Sequence, residues 1–213
     1  METLTGFMYQ MVQWARMDDK RPRDRLLDAA IDYVAEHGIG DVSLRSLASA
    51  LGTSHRMLIH YFGSKEGLWI DIVHTVEARQ RNMLGELLPD PDQPIREAMW
   101  TWWKHISDPA LWPNERLFFE LYGQALQGRG HTAQFLDGIV EDWLGPATEI
   151  NVARGVPREL ARAHARAGVA ITRGLLLDLL ATGDAAGVDA AMDAFIDLYE
   201  AWVERAARPS ALR

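Results

Sequence analysis

The sequence predicts an all-α fold, and three observations carry that prediction. Apolar residues recur at helical spacing through almost every segment, with no convincing strand alternation. Helix start and stop residues punctuate the chain at short intervals. Of the 213 residues 48% are apolar, enough to build the core of one large domain or two small ones.

Residues 1–19 carry Phe7, Met8, Tyr9, Met11, Val12 and Trp14 before Asp18 and Asp19, and read as a flexible arm. Met8 and Met17 offer alternative starts. The first helix begins near Pro22, a residue suited to a first turn. Leu26, Leu27, Ala30, Ile31 and Val34 make its stripe, and His37-Gly38 closes it. Ser43 caps a second helix that turns Leu44, Leu47, Ala48 and Leu51 inward. Gly52 makes the turn. Thr53 or Ser54 caps a third helix ending around Phe62, and Ser64 caps a longer fourth that runs through Leu68, Ile72 and Val76 towards Leu87. Pro89, Pro91 and Pro94 mark one internal boundary. Beyond it the pattern predicts helices over Ile95–Ile106, Asn114–Gln127 and Thr132 to about Arg154, the last bent at Gly145-Pro146. Two long helices follow, Arg158–Ala181 and Asp184–Ala207, separated at Thr182-Gly183-Asp184.

No apolar run approaches the ~20 residues that span a bilayer. The start lacks the ordered features of a secretory signal. With no cysteine there are no disulfides or thiolate metal sites, so a cytoplasmic protein without a membrane partner is expected. The net charge of -8 is uneven. Residues 20–81 hold nine basic and eight acidic groups, whereas residues 82–213 hold twelve basic and nineteen acidic. Such acidity argues against coating nucleic acid nonspecifically, but leaves room for one local DNA-reading face.

That face is suggested by residues 41–65, DVSLRSLASALGTSHRMLIHYFGSK. A helix-turn-helix needs a small residue where its helices cross, a flexible turn and an apolar lock on the second helix. Ala48, Gly52 and Leu58 supply them, although an ordinary αα-hairpin meets the same spacing. Ser43, Thr53 and Ser54 stand at helix starts, where free N–H groups favour a phosphate oxygen or are simply capped. Tyr61 and Lys65 stand where a helix end meets the far backbone of a groove. Lys20, Arg21, Arg23 and Arg25 form a basic lead-in, which reads equally as a solvated turn.

LLDAAIDYVAEHG, DVSLRSLASALGTS and HYFGSKEGL together resemble the N-terminal domain of the tetracycline-repressor (TetR/AcrR) family of bacterial transcription regulators, over residues of about 22 to 70. The resemblance implies an N-terminal three-helix helix-turn-helix DNA-binding domain (residues 20–66) and a larger C-terminal helical ligand-binding and dimerisation domain (residues 67–213). It implies backbone contacts from Ser43, Arg45, Ser54, Tyr61 and Lys65, with Thr53 beside them. It implies base-edge contacts from His55, Arg56, Met57 and His60, with Arg56 suited to a guanine and Met57 to a thymine methyl. The family commonly has Tyr where this chain has Ile59, which is then core or a methyl contact. The expected function is a repressor, bacterial and nucleoid-associated, that binds a palindromic double-stranded operator as a homodimer. A small apolar or aromatic effector releases it, with the fourth helix as the lever. An effector-activated or effector-independent regulator is the alternative.

For the dimer interface the sequence offers Leu160, Gly168, Ile171, Leu175 and Leu179, with Ala163, Ala167 and Gly174 permitting close approach, and then Met192, Phe195, Tyr199 and Trp202. Intrachain packing must consume part of these stripes. For a ligand pocket it offers Trp100, Trp103, Phe118, Phe119, Tyr122, Trp143, His164 and Arg173, with Trp102, Trp112 and Phe135 in the same aromatic supply. His105, Gln124, His131 and Glu141 are further polar candidates, and an aromatic core with surface polar groups is the plain alternative. No Gly-rich phosphate loop, metal-spaced His pair or nucleophile elbow appears, so no cofactor and no enzymatic activity are expected. His74 and Glu77 share a helical face, as surface pairs often do. A helical adaptor that binds protein instead is disfavoured by the Ser54–Lys65 pattern.

Overall fold

The computed structural model describes residues 21–38, 42–87, 93–128 and 135–207. The expected arm, Lys20, Pro89, Pro91 and His131 lie outside them. The described residues are helical and contain no strand. The helices are α1 (Pro22–His37), α2 (Leu44–Ala50), α3 (His55–Phe62), α4 (Lys65–Leu87), α5 (Ile95–Ile106), α6 (Trp112–Leu126), α7 (Glu141–Ala153), α8 (Arg158–Thr182) and α9 (Ala185–Ala207). The chain divides into two compact units, one ending at Ile72 and the other starting at Val73, with α4 continuous through the division.

In the first unit Leu27, Ala30, Ile31 and Val34 of α1 bury against a core that includes Leu47, Ala48, Leu58, Phe62, Leu68 and Ile72. Each such large side chain contributes about 1.5–3 kcal/mol when withdrawn from water. Caps set the short helices. Ser43 Oγ accepts from the Ser46 N–H at 3.1 Å, and Ser46 Oγ accepts in return from the Ser43 N–H at 3.1 Å. At the far end of α2, Gly52 takes φ +63°. That conformation brings the Gly52 N–H to Ser49 O and the Thr53 N–H to Ala48 O at 2.9 Å, which satisfies two terminal carbonyls and reverses the chain. Ser54, rather than Thr53, caps α3, accepting from the Met57 N–H at 3.2 Å. Ser64 Oγ caps α4 by accepting from Gly67 N at 3.0 Å.

In the second unit one core cluster joins α5, α8 and α9 through Trp103, Ile106, Leu176, Leu179, Met192, Phe195 and Ile196. A polar seam runs beside it. Trp103 Nε1 donates to Asp189 at 2.7 Å and Trp100 Nε1 to Asp193 at 3.2 Å. Lys104 pairs with Asp189, and Arg96 with Asp193 and Asp197. The acids recur every four residues on α9 and the donors follow the same rhythm on α5, so both rows face each other. One expected helix is corrected: its start near Thr132 lies outside the described residues, and within them α7 starts only at Glu141. Gly138 sits at φ +75°, a left-handed geometry no helix interior accepts, and residues 135–140 pass from 3-10 geometry at 135–136 into turns instead.

Candidate functional site

On α3, Leu58 (1% exposed) and Phe62 are the inward residues, and they turn the opposite face outward. His55, Arg56, Met57, Ile59 and His60 are all exposed. Ile59 is therefore not a core residue. Arg45 and the capping serines are exposed on the same unit, while Thr53, Tyr61 and Lys65 are half-buried. Lys65 Nζ lies 5.8 Å over the Trp69 ring, which holds its stem against the helix.

The basic lead-in is corrected in one place. The Arg23 guanidinium is engaged internally, with Asp71, with the Tyr61 carbonyl at 3.4 Å and over the Phe62 ring at 5.1 Å. It ties α1 to the end of α3 and to α4. Arg21 pairs with Asp24 at 3.0 Å, and Arg25 is exposed.

The second unit contains a half-open cavity of about 130 Å³. Its apolar walls come from Met99 and Trp102 of α5, Phe118 and Phe119 of α6, Trp143 and Ile150 of α7, Gly168, Val169 and Leu176 of α8, and Phe195 and Tyr199 of α9. Trp102 and Trp143 meet at 5.8 Å between ring centroids, and Phe118 and Phe119 edge to face at 5.1 Å. The polar groups on the wall include Glu77, Gln80, Glu115 and Arg173. Trp143 Nε1 donates to Glu77 at 2.6 Å, Arg173 reaches the same oxygen at 3.2 Å, and Arg173 also donates to the Ile139 carbonyl at 2.6 Å. Gln80 donates to Glu115 at 2.7 Å. Burial pushes the Glu77 carboxyl above its ordinary range against the pull of Arg173, Trp143, Arg81 and His74.

Of the expected pocket residues, Phe118, Phe119, Trp143 and Arg173 meet in this cavity. Trp100 and Trp103 do not, because their indoles serve the α5–α9 seam. Tyr122 lines an adjoining hollow with Arg166, Gly174 and Leu177, which shares Phe118, Phe119, Val169 and Arg173 with the cavity. His164 is off the cavity wall, stacked on Trp202 at 5.3 Å, its Nδ1 buried without a partner and its pKa lowered by burial. His105 packs on Trp102, Gln124 bonds Glu120, and Glu141 pairs with Arg162 and Arg166. Sequence reasoning missed Gln80 and Glu115 and passed over Glu77 as surface. A polar residue inside an otherwise apolar helical stripe was the available signal.

The expected interface residues also divide. Leu179, Met192 and Phe195 are buried within the unit, and Gly168 and Tyr199 line the cavity. Ile171, Leu175 and Trp202 pack half-buried on the core. The face of α8 that stays outward carries Leu160 (48% exposed), Ala163, Ala170, Gly174, Leu177 (49%) and Ala181. On α9 it carries Gly187, Ala191, Ala194 and Leu198 (56%). The α9 row follows alternating three- and four-residue steps, and the α8 row does the same except between Ala163 and Ala170, where Ala167 is half-buried.

Among the described residues no helix is long and apolar enough to cross a membrane, and no group of side chains could hold a metal.

Residues 26–72 match the family model described as bacterial regulatory proteins, tetR family. The HTH-type transcriptional repressor NicS of Pseudomonas putida is 27% identical over 146 residues, which cover 65% of this chain and 67% of that protein. A Rhodococcus transcriptional regulator of solved structure superposes with a TM-score of 0.68 at 18% identity, over 89% of this chain and 100% of that one. BioQ, solved with its natural double-stranded DNA operator, superposes with a TM-score of 0.52 at 17% identity, over 88% of this chain and 99% of its own.

Proposed function

For a chain that belongs to the tetR family of bacterial regulatory proteins and is a DNA-binding regulator of transcription, we propose that it is a repressor that binds a palindromic operator as a homodimer and is released by a small, largely aromatic effector. The observation that carries the DNA-reading half is the outward face of α3. Of the six consecutive residues from His55 to His60, all but Leu58 project from it, on a helix fixed by Leu58 and Phe62. Arg56 suits the bidentate edge of a guanine, Met57 and Ile59 suit thymine methyls, and His55 and His60 complete the base contacts. Ser43, Arg45, Thr53, Ser54, Tyr61 and Lys65 take the phosphates. The capping hydroxyl of Ser54 accepts from its own helix and still has a proton to donate, whereas that of Ser43 is shared with the Ser46 hydroxyl at 3.0 Å.

One short helix reads too few base pairs to find a genomic site, and a two-fold dimer doubles its reach. The outward rows of α8 and α9 suit that dimer. They are apolar, small enough for close approach, and spaced as helices that pack along their length. The similarity to the repressor NicS supports the sign of control. The cavity supports an effector, whose preference for the DNA-incompetent form would set the extent of release.

The test is selection of bound duplexes from a random pool, with the mass of the protein measured free and bound. The expected outcome is an inverted repeat whose half-sites are about one helical turn apart, ~34–36 Å or a multiple of it. A single unrepeated half-site, or a monomeric mass at micromolar concentration, would overturn the dimer. No duplex enriched over background at low salt would overturn the reading itself.

A further inference from the structure

Glu115 on the cavity wall is not needed by the packing around it. It is 4% exposed, and its Oε1 accepts from Gln80 Nε2 at 2.7 Å, with no second donor among the described residues. The neighbouring charges are occupied. Glu77 takes Trp143, Arg173 and, at 3.9 Å, Arg81. Arg173 is held between Glu77 and the Ile139 carbonyl, 5.0 Å above the Phe118 ring. Arg154, also on the wall, donates to the Gln93 carbonyl at 3.3 Å and acts on Tyr199 rather than on Glu115. A buried carboxylate with one amide for company is costly, and glutamine or leucine would fill the same place without that cost. The cost is recovered when a donor enters the cavity.

Resting on the reading that this cavity takes the effector, we propose that the effector is an arylalkylamine whose protonated nitrogen donates to Glu115 while its ring lies among Trp102, Phe118, Phe119 and Trp143. The ring faces add to the attraction for a cation in a site shielded from water. An organic anion gains less, because Glu77 already shares the Arg173 guanidinium and offsets its charge, and Glu115 and Glu77 both repel a second carboxylate.

The ionisation of Glu115 supplies a readout of its own. Burial and the nearby Glu77 push its carboxyl up to about 7, against the opposing pull of Gln80 and Arg173. Among the described residues these are its electrostatic neighbours. An arriving ammonium ion drives the proton off, so binding near neutral pH releases on the order of half a proton per site.

Calorimetric titration of the full chain with phenethylamine, 2-phenylethanol and phenylacetate separates the possibilities, since the three share one ring and one chain length. The amine is expected to bind about tenfold or more tightly than the alcohol, and phenylacetate most weakly. Glu115→Gln is expected to bring the amine down to the level of the alcohol, and continued binding of the alcohol reports that the cavity is intact. For the unsubstituted protein, amine affinity should rise between about pH 6 and pH 8 with proton release, and alcohol affinity should not. That pH dependence decides the matter if the variant fails to fold. Phenylacetate binding best, equal affinities for all three, no amine binding at about 10 mM, or a Glu115→Gln protein that still prefers the amine would each overturn the proposal. Failure of the same preparation to bind any DNA counts against the proposed function and not against the ligand class.

Discussion

On α3, His55, Arg56 and His60 project into solvent with no ion pair among the described residues, whereas Glu77, Glu115 and Arg173 are withdrawn from water and hold one another or a neighbouring amide. The first arrangement costs folding little, because water solvates those groups until a partner replaces it. The second couples charge to stability, since each group has been desolvated and its neighbours must compensate. A polar substitution in the first region should therefore register as lost affinity, and in the second as lost stability.

The largest expected effect is that of Arg173→Ala. It leaves Glu77 buried without its main counter-charge, and should lower the unfolding free energy by about 3–5 kcal/mol, towards the smaller figure because Trp143 and Arg81 remain. Urea unfolding followed by tryptophan fluorescence measures it. A change of a few tenths would mean that the pair is solvated and that the contrast between the two regions is false.

Acidity comes next. Both Glu77 and Glu115 have raised carboxyl pKa values, so the folded chain holds protons that the unfolded chain has released. Their contribution to stability is complete below the ordinary carboxylate range and is lost as pH rises above it, for Glu115 on approaching about 7. For Glu115 this loss is on the order of 3 kcal/mol at most. Thermal melts at about pH 5.5 and pH 7.5 should show the decline, and Glu115→Gln should flatten it; a decline of equal size in that variant would place the titration elsewhere.

On the DNA-reading side, Arg56→Ala should leave the melting curve in place, weaken operator binding by about 1–3 kcal/mol and relax the sequence preference at one position per half-site. Unchanged preference would remove Arg56 from the base edges. The smallest change is expected for Lys65→Ala, which should weaken all duplexes alike and make the dependence of log affinity on log salt shallower by about one. A loss confined to one sequence would contradict a phosphate contact.

The two regions also differ in how far they can be read from sequence. Ser43, Gly52, Ser54 and Leu58 act on neighbours within a few residues, so their spacing announces the turn, the caps and the exposed face together. The cavity is assembled from residues far apart in the chain: Glu77 meets Trp143 across 66 positions and Arg173 across 96. No local pattern encodes such a meeting. Trp100 and Trp103 look like pocket aromatics until Asp193 and Asp189, 93 and 86 positions away, take their indole N–H groups. Met192 and Phe195 have the periodicity of an interface, but periodicity does not say which partner buries a stripe, and here the same chain does. Leu160 is the exception, exposed as an interface residue would be.

The row of aspartates on α9 has a mechanical consequence. Trp103 is fully enclosed, so sliding α5 a short way along α9 would strand its N–H without an acceptor, at about 1–3 kcal/mol, while prising Lys104 and Arg96 from their acids as well. The two helices thus resist shear and carry load as one stiff beam. Both present side chains to the cavity, Met99 and Trp102 from one and Phe195 and Tyr199 from the other. A molecule wedged against Trp102 therefore pushes on α9 at the same time, and the beam can tilt or translate as a whole but cannot be bent open at its seam.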